Sequence, residues 1–423
     1  MIEVGIRGRV AHSDYAKAVG ILTSGSLIAQ LLTIAVAPIM TRLFTPSAIG
    51  VYTLVISATS LFGAVLSLRY DLAIVYDDDA ANIPPLVVLS AALVICLSFL
   101  IALVYFLYFS LYPLEGFSSW WLAVSVFVLC LFLGAINILN SCNNRQRDYR
   151  AINIAGIERS VVQNGGIVLA GLVHLGAAGL VIAQTFGYLA GMARQLRPLV
   201  GMLKKLRFVR TEDVGRVARL HKKQALWSAP AVFANGVAFT AINYLIELLY
   251  GVSSVGFYSL SYRILGLPIT VLGMNVSRVF TERAAQERRE KGDFRNIFKK
   301  TFFIIAVVAA PVAIVLMFVA PSLVSFVFGE EWRVAGEYIQ ILTPMYVLRL
   351  ISGALNGSTV IAGRQQRDAI IQLALVLCVA GSFTVAASFQ LGLPVLLGLV
   401  SGTSSVVYIA YILIFWFASK CRN

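Results

Sequence analysis

Twelve apolar runs, each of about twenty residues or more, leave this chain few ways to fold. They cover roughly 18–43, 49–69, 84–109, 119–140, 151–173 and 176–199 in the first half. In the second half they cover 225–249, 255–277, 301–328, 334–359, 368–390 and 394–419. Runs of this length are too long for barrel strands and long enough for spanning helices. Lipid offers no partner for backbone N–H and C=O groups, so each run must bond within itself as a helix. The expected fold class is therefore all-α: a polytopic membrane protein of twelve transmembrane helices. Composition agrees, since 59% of the 423 residues are hydrophobic and only 13% charged, against about a quarter charged in soluble domains. Pro84, Pro85 and Pro394 stand at run starts, where a missing N–H costs nothing. Pro38, Pro268, Pro311 and Pro344 fall inside runs and predict kinks.

The net charge of +14 would by itself suggest nucleic acid, but its distribution excludes that partner. Of the 34 Lys and Arg residues, 29 fall in connections or at run ends on one side of the predicted membrane. Only Arg42 and Arg333 fall on the other side, and Arg159, Arg263 and Arg349 lie within runs. The positive-inside rule then puts both termini in the cytoplasm. The first run is too long for a signal-peptide core and reads as an uncleaved span. The expected organisation is an interfacial N-terminal segment (1–17), a six-helix bundle (18–199), a basic cytoplasmic linker (200–224), a second six-helix bundle (225–419) and a short cytoplasmic tail (420–423). The amphipathic linker suits contact with anionic membrane lipids.

Two internal echoes make the halves alike. TRLFTPSAIGVYTL (41–54) returns as LYGVSSVGFYSL (249–260) at an offset of 206, pairing Gly50 with Gly256 and Tyr52 with Tyr258. Asn144-Arg-Gln-Arg-Asp148 is matched by Gly363-Arg-Gln-Gln-Arg-Asp368. Each half has an even number of spans, so the two bundles run parallel, related by an axis along the membrane normal. Tyr52 and Tyr258 are expected near the outer interface. Gly187xxxGly191 and Gly353xxxGly357 are expected to permit close helix packing.

Catalytic signatures are missing. Five cysteines and three histidines are scattered, with no CxxC or HExxH spacing, so neither a metal site nor a catalytic residue is expected. No GxxxxGK[ST] phosphate loop is present, which argues against ATP hydrolysis. Asp77-Asp78-Asp79 reads as a solvated acidic turn rather than a Mg²⁺ site.

The chain resembles the oligosaccharide flippases of bacterial surface-polysaccharide pathways, the O-antigen (Wzx) type. These form the polysaccharide-transporter family of the multidrug/oligosaccharidyl-lipid/polysaccharide (MOP) exporter superfamily. Four stretches carry the resemblance: TRLFTPSAIGVYTL (41–54), RYDLAIVYDDDAA (69–81), NNRQRDYRAI (143–152) and YGVSSVGFYSLSYRILGLP (250–268). It implies a MATE-like pair of bundles around a cavity that opens alternately to cytoplasm and periplasm. It also implies a place in the bacterial inner membrane and, as substrate, undecaprenyl-diphosphate-linked oligosaccharide. A polysaccharide polymerase and a chain-length regulator are the protein partners such a pathway would provide.

A charge at mid-helix costs roughly 2.5–3.5 kcal/mol on insertion scales, so intramembrane charges mark candidate sites. Guanidinium forks suit phosphate, which makes Arg263, Arg349 and Arg159 candidates for a lipid diphosphate, with Arg69 and Arg42 nearer the membrane faces. Glu158 and Arg159 point about 100° apart on a helix and should not pair with each other. Glu247, Glu158 and Asp71 are the candidates for H⁺ or Na⁺ coupling; no cofactor is expected. Two other functions fit the superfamily or the pathway. A multidrug-type antiporter should line its site with carboxylates rather than arginines. A membrane enzyme of polysaccharide assembly needs reactive groups and a sizeable outer loop, and every outer loop here is short.

Overall fold

The computed structural model describes residues 25, 27–114, 116–201, 206–362 and 366–420. The N-terminal segment 1–17 and residues 421–423 lie outside these, as does the first half of the second basic echo (363–365). Every element among the described residues is helical. Eight helices are long and apolar enough to cross a membrane, and Leu27–Leu43 is a shorter apolar helix.

The chain divides into two compact units between Tyr244 and Leu245. The first contains α1 (Leu27–Leu43), α2 (Pro46–Gly63), α3 (Tyr70–Tyr76), α4 (Ile83–Leu111), α5 (Ser119–Arg145), α6 (Tyr149–Leu172), α7 (Gly176–Leu196), α8 (Thr211–Leu220) and most of α9 (Ala229–Tyr250). The second contains the end of α9, then α10 (Val252–Pro268), α11 (Met274–Lys291), α12 (Arg295–Phe328), α13 (Arg333–Ala354), α14 (Gly357–Ile361), α15 (Gln366–Ser388) and α16 (Leu393–Ser419). The division falls inside the seventh run. Tyr105 donates to the Tyr244 hydroxyl (2.9 Å), which donates on to the Leu54 carbonyl (2.8 Å), and Asn243 donates to Ser57 (2.8 Å). These bonds tie the first part of α9 into the first unit.

The repeated corner is built twice by different chemistry. Thr45 is the N-cap of α2, with its hydroxyl accepting from the Ala48 amide (3.3 Å) and Pro46 at the first turn. At the equivalent position in the second unit, Gly251 caps α10 with φ +81°, a conformation that side chains rarely adopt. Thr45→Ala should therefore cost about 1 kcal/mol of stability, read as a lower thermal midpoint in detergent.

The second apolar run does not stay helical to residue 69. α2 stops at Gly63, whose carbonyl accepts from Asn137 (2.9 Å). Leu68 and Arg69 then take left-handed conformations (φ 48° and 67°), and α3 starts at Tyr70. Of the expected kinks, the one at Pro268 takes the form of a π turn over Ile269–Gly273. A proline has no N–H for the carbonyl one turn back, and a π turn absorbs the mismatch. Pro321 inside α12 is accommodated in another way. The carbonyl it leaves free, that of Met317, accepts from the Gln340 side chain (2.7 Å), and Gly336 of α13 packs on the proline. A Cβ at Gly336 would lie 2.4 Å from Pro321 Cα, so only glycine permits this approach.

The α6–α7 contact positions the residues discussed next. A Cβ at Gly187 would meet the Gln163 Cβ at 2.8 Å and the Arg159 carbonyl at 3.0 Å; one at Gly191 would meet the Ala155 carbonyl at 3.3 Å. This glycine pair brings the two helices together. The other pair differs: Gly353 faces open space, and a Cβ at Gly357 would collide with the Thr281 hydroxyl.

Candidate substrate-binding site

In the first unit, α6 and α7 each present two polar residues one turn apart. Arg159 and Gln163 lie on α6, Gln184 and Tyr188 on α7. Residues four apart share a helix face, so the close approach at Gly187 sets the two pairs against each other. The Arg159 guanidinium carbon sits 4.2 Å above the Tyr188 ring centroid, a cation–π contact. Gln163 donates its amide to the Gln184 carbonyl oxygen, which also accepts from the Tyr52 hydroxyl at 2.7 Å. Tyr52, Gln184 and Tyr188 are buried, while Arg159 and Gln163 are half-buried. Among the described residues, no carboxylate or hydrogen-bond acceptor meets Arg159. Five N–H donors on a rigid fork therefore stand without an oxygen about 15 Å along α6.

A turn further on, Asn164 donates to Ser160 and to the Thr33 hydroxyl (3.3 Å), and Ser160 donates to the Ala29 carbonyl (3.0 Å). These bonds fasten α6 to α1. With Glu158, they make α6 too polar to rank among the eight apolar spans.

The second unit gathers tyrosines around Arg349. Its guanidinium lies 5.6 Å from the Tyr346 ring centroid. Tyr262 meets Tyr346 edge-on (6.3 Å, 83°) and Tyr258 at 6.3 Å. Arg263, the residue after Tyr262 on α10, is half-buried and has no hydrogen bond or ion pair with a described residue.

The remaining candidates separate by position. Glu158 pairs with Arg194 at 4.0 Å, not with Arg159, as the helix geometry requires. Asp71 is buried and accepts from the Ser67 hydroxyl. Glu247 is buried near the end of α9. Arg42 is exposed beyond Thr41. Arg69 occupies the left-handed turn before α3, its Nε buried with no hydrogen-bond partner. The described residues hold no group of three or more His, Cys, Asp or Glu able to bind a metal ion.

Two expectations need correction. Tyr52 and Tyr258, expected near the outer interface, face packed helices and not lipid: both are buried, because the corners that carry them feed straight into those helices. Asp77 is not part of a solvated turn; it is buried and hydrogen-bonded. Gln163, Gln184 and Tyr188 were missed, since an uncharged amide in an apolar run gives little signal. The i, i+4 pairing of Gln184 with Tyr188 beside a small-xxx-small stripe could have flagged them.

The model of a family described as polysaccharide biosynthesis proteins matches residues 39–337, well over half of the chain. This chain belongs to that family. A curated relative, the teichuronic acid biosynthesis protein TuaB of Bacillus subtilis (strain 168), is 30% identical over 118 residues. That match covers 28% of this chain and only 24% of TuaB. Among solved structures, the lipid II flippase MurJ in an inward closed conformation aligns with TM-score 0.64 at 14% identity, covering 93% of this chain and 86% of its own. A MOP superfamily transporter from Pyrococcus furiosus aligns with TM-score 0.57 at 15% identity, covering 95% of both chains. An inward-facing MATE transporter gives 0.57 at 16%, covering 96% of this chain and 94% of its own. At such identities these likenesses establish the fold alone: this member of the polysaccharide biosynthesis family is a multi-pass membrane protein, helical throughout its described elements, with the fold of those transporters.

Proposed function

We propose that this protein is a flippase rather than an enzyme. It moves undecaprenyl-diphosphate-linked oligosaccharide units across the bacterial inner membrane by alternating access, for O-antigen, capsule or exopolysaccharide assembly. The observation that carries this reading is the Arg159 guanidinium held by Tyr188, free of any described acceptor, beside the Gln163–Gln184 amide pair. A diphosphate supplies the oxygens the fork lacks, and amides and phenols suit sugar hydroxyls. Arg263 and the tyrosine-flanked Arg349 offer the same chemistry in the second unit. A cationic drug would be repelled by these groups, which disfavours the multidrug reading. Glu247, Glu158 and Asp71 are the candidates for H⁺ or Na⁺ coupling, and Glu247 and Asp71 are buried. The exposed Arg219, Lys222 and Lys223 of the linker, beside exposed Leu220 and Trp227, fit an anionic lipid surface.

The test is export in cells lacking the native gene. Arg263→Glu combined with Arg349→Glu should abolish surface polysaccharide while normal amounts of protein reach the membrane. Full export by the double variant would remove the second unit's arginines from the account.

A further inference from the structure

The cytoplasmic linker is not a free tether; its second half is fastened to the first unit at several points. Val217 of α8 is fully buried, and the Tyr70 hydroxyl donates to the Ala218 carbonyl (3.0 Å). Arg216 donates to the Asn82 side-chain oxygen (2.8 Å), and Gln224 donates to the Tyr76 hydroxyl (2.8 Å). Between these ties, His221 Nε2 meets Asp77 Oδ2 at 2.8 Å, with both side chains nearly enclosed (11% and 7% exposed). His221 Nδ1 lies 3.4 Å from the Tyr76 hydroxyl, which meets the imidazole edge-on.

Asp77 is built to be a fixed anion. Burial pushes its carboxyl up, but hydrogen bonds from His221, the Asp79 amide and Asn82 outweigh burial and hold it below the usual carboxylate range. Arg145 of α5 supports the same corner by donating to the Asp77 and Ile74 carbonyls (2.6 and 3.0 Å). A carboxyl lowered in the folded state contributes its stability above the ordinary range and loses it only as pH falls through the lowered value. Across cytoplasmic pH, Asp77 therefore stays charged, and histidine is the partner type that changes charge there.

We propose that His221 and Asp77 form a proton-sensitive latch that sets how firmly the cytoplasmic linker grips the first helix bundle. The contact can form in either charge state of the imidazole. Neutral His221 donates from Nε2 and accepts from Tyr76 at Nδ1. Protonated His221 donates from both nitrogens and adds a charge opposite Asp77. The charged groups around the imidazole are Asp77 and the Tyr76 phenol on the α3 side, Arg145 behind Asp77, and Arg216, Lys222 and Lys223 on the linker itself. Of the charged groups Asp77 alone faces it at bonding distance, so its sign dominates and a proton on the imidazole makes the grip firmer. The latch does not depend on which molecule is transported.

Hydrogen exchange of the α8 amides, measured on the full chain in lipid nanodiscs, tests it. Asp77→Ala and His221→Ala should each speed exchange of 213–220 by tenfold or more relative to α5. The reciprocal swap, Asp77→His with His221→Asp, should recover most of the protection. After correction for intrinsic exchange rates, wild-type α8 should be several-fold better protected at pH 6 than at pH 8. His221→Gln keeps a donor but cannot titrate, and should lose that difference. Unchanged α8 protection in Asp77→Ala would overturn the latch. A wild-type pH response matching that of His221→Gln would overturn its proton sensitivity.

Discussion

Arg159→Gln is expected to slow polysaccharide export by about 10–100-fold with little loss of protein from the membrane. A hydrogen bond to a charged group contributes about 1.5–3 kcal/mol, and each 1.4 kcal/mol is about tenfold. Glutamine is shorter and removes both the charge and the fork. Arg159→Lys should fall between, because a lysine retains the charge but engages phosphate as a point rather than a fork. No described carboxylate pairs with the guanidinium, so its removal strands no buried counter-charge among the described residues, and folding should tolerate it. Export rate against membrane abundance separates the two effects. Equal export by wild type and Arg159→Gln would show that this guanidinium does not handle substrate.

Gly187→Val should be the most damaging single change at the α6–α7 contact. Even a methyl there would lie 3.0 Å from the Arg159 carbonyl, a backbone atom that cannot swing aside. Overpacking of this kind costs about 1–3 kcal/mol, and relief by spreading the helices would part Gln163 from Gln184 and Arg159 from Tyr188. Both stability and export should therefore fall. Gly353→Ala is the control, because its Cβ would meet nothing within 4 Å. A thermal midpoint for Gly187→Val equal to that of Gly353→Ala would contradict the close α6–α7 contact.

The all-helical membrane fold was legible because lipid leaves backbone groups one solution, and twelve long runs announce it. The repeated corner was legible too, and Thr45 and Gly251 occupy the same capping position in it. What the apolar pattern could not show was where helices break for reasons other than polarity. The left-handed pair Leu68–Arg69 lies at the end of the second apolar run, and neither position is a glycine. The site was half legible. Charge flags Arg159 and Arg349, since a charge in a span is costly and rare. The partners Gln163, Gln184, Tyr188 and Tyr346 carry no charge, and only packing brings them to the arginines. The linker shows the reverse. Its charge pattern suggested a lipid-facing strap, while the buried Val217 and the Asp77–His221 contact reveal a second, inward face.

The most direct test is transbilayer movement of a labelled undecaprenyl-diphosphate oligosaccharide in liposomes containing the purified protein. The wild-type protein should move the label across the bilayer, with or without the stimulus of an ion gradient, and Arg159→Gln should do so about 10–100-fold more slowly. No movement above empty liposomes under any gradient would contradict the flippase account.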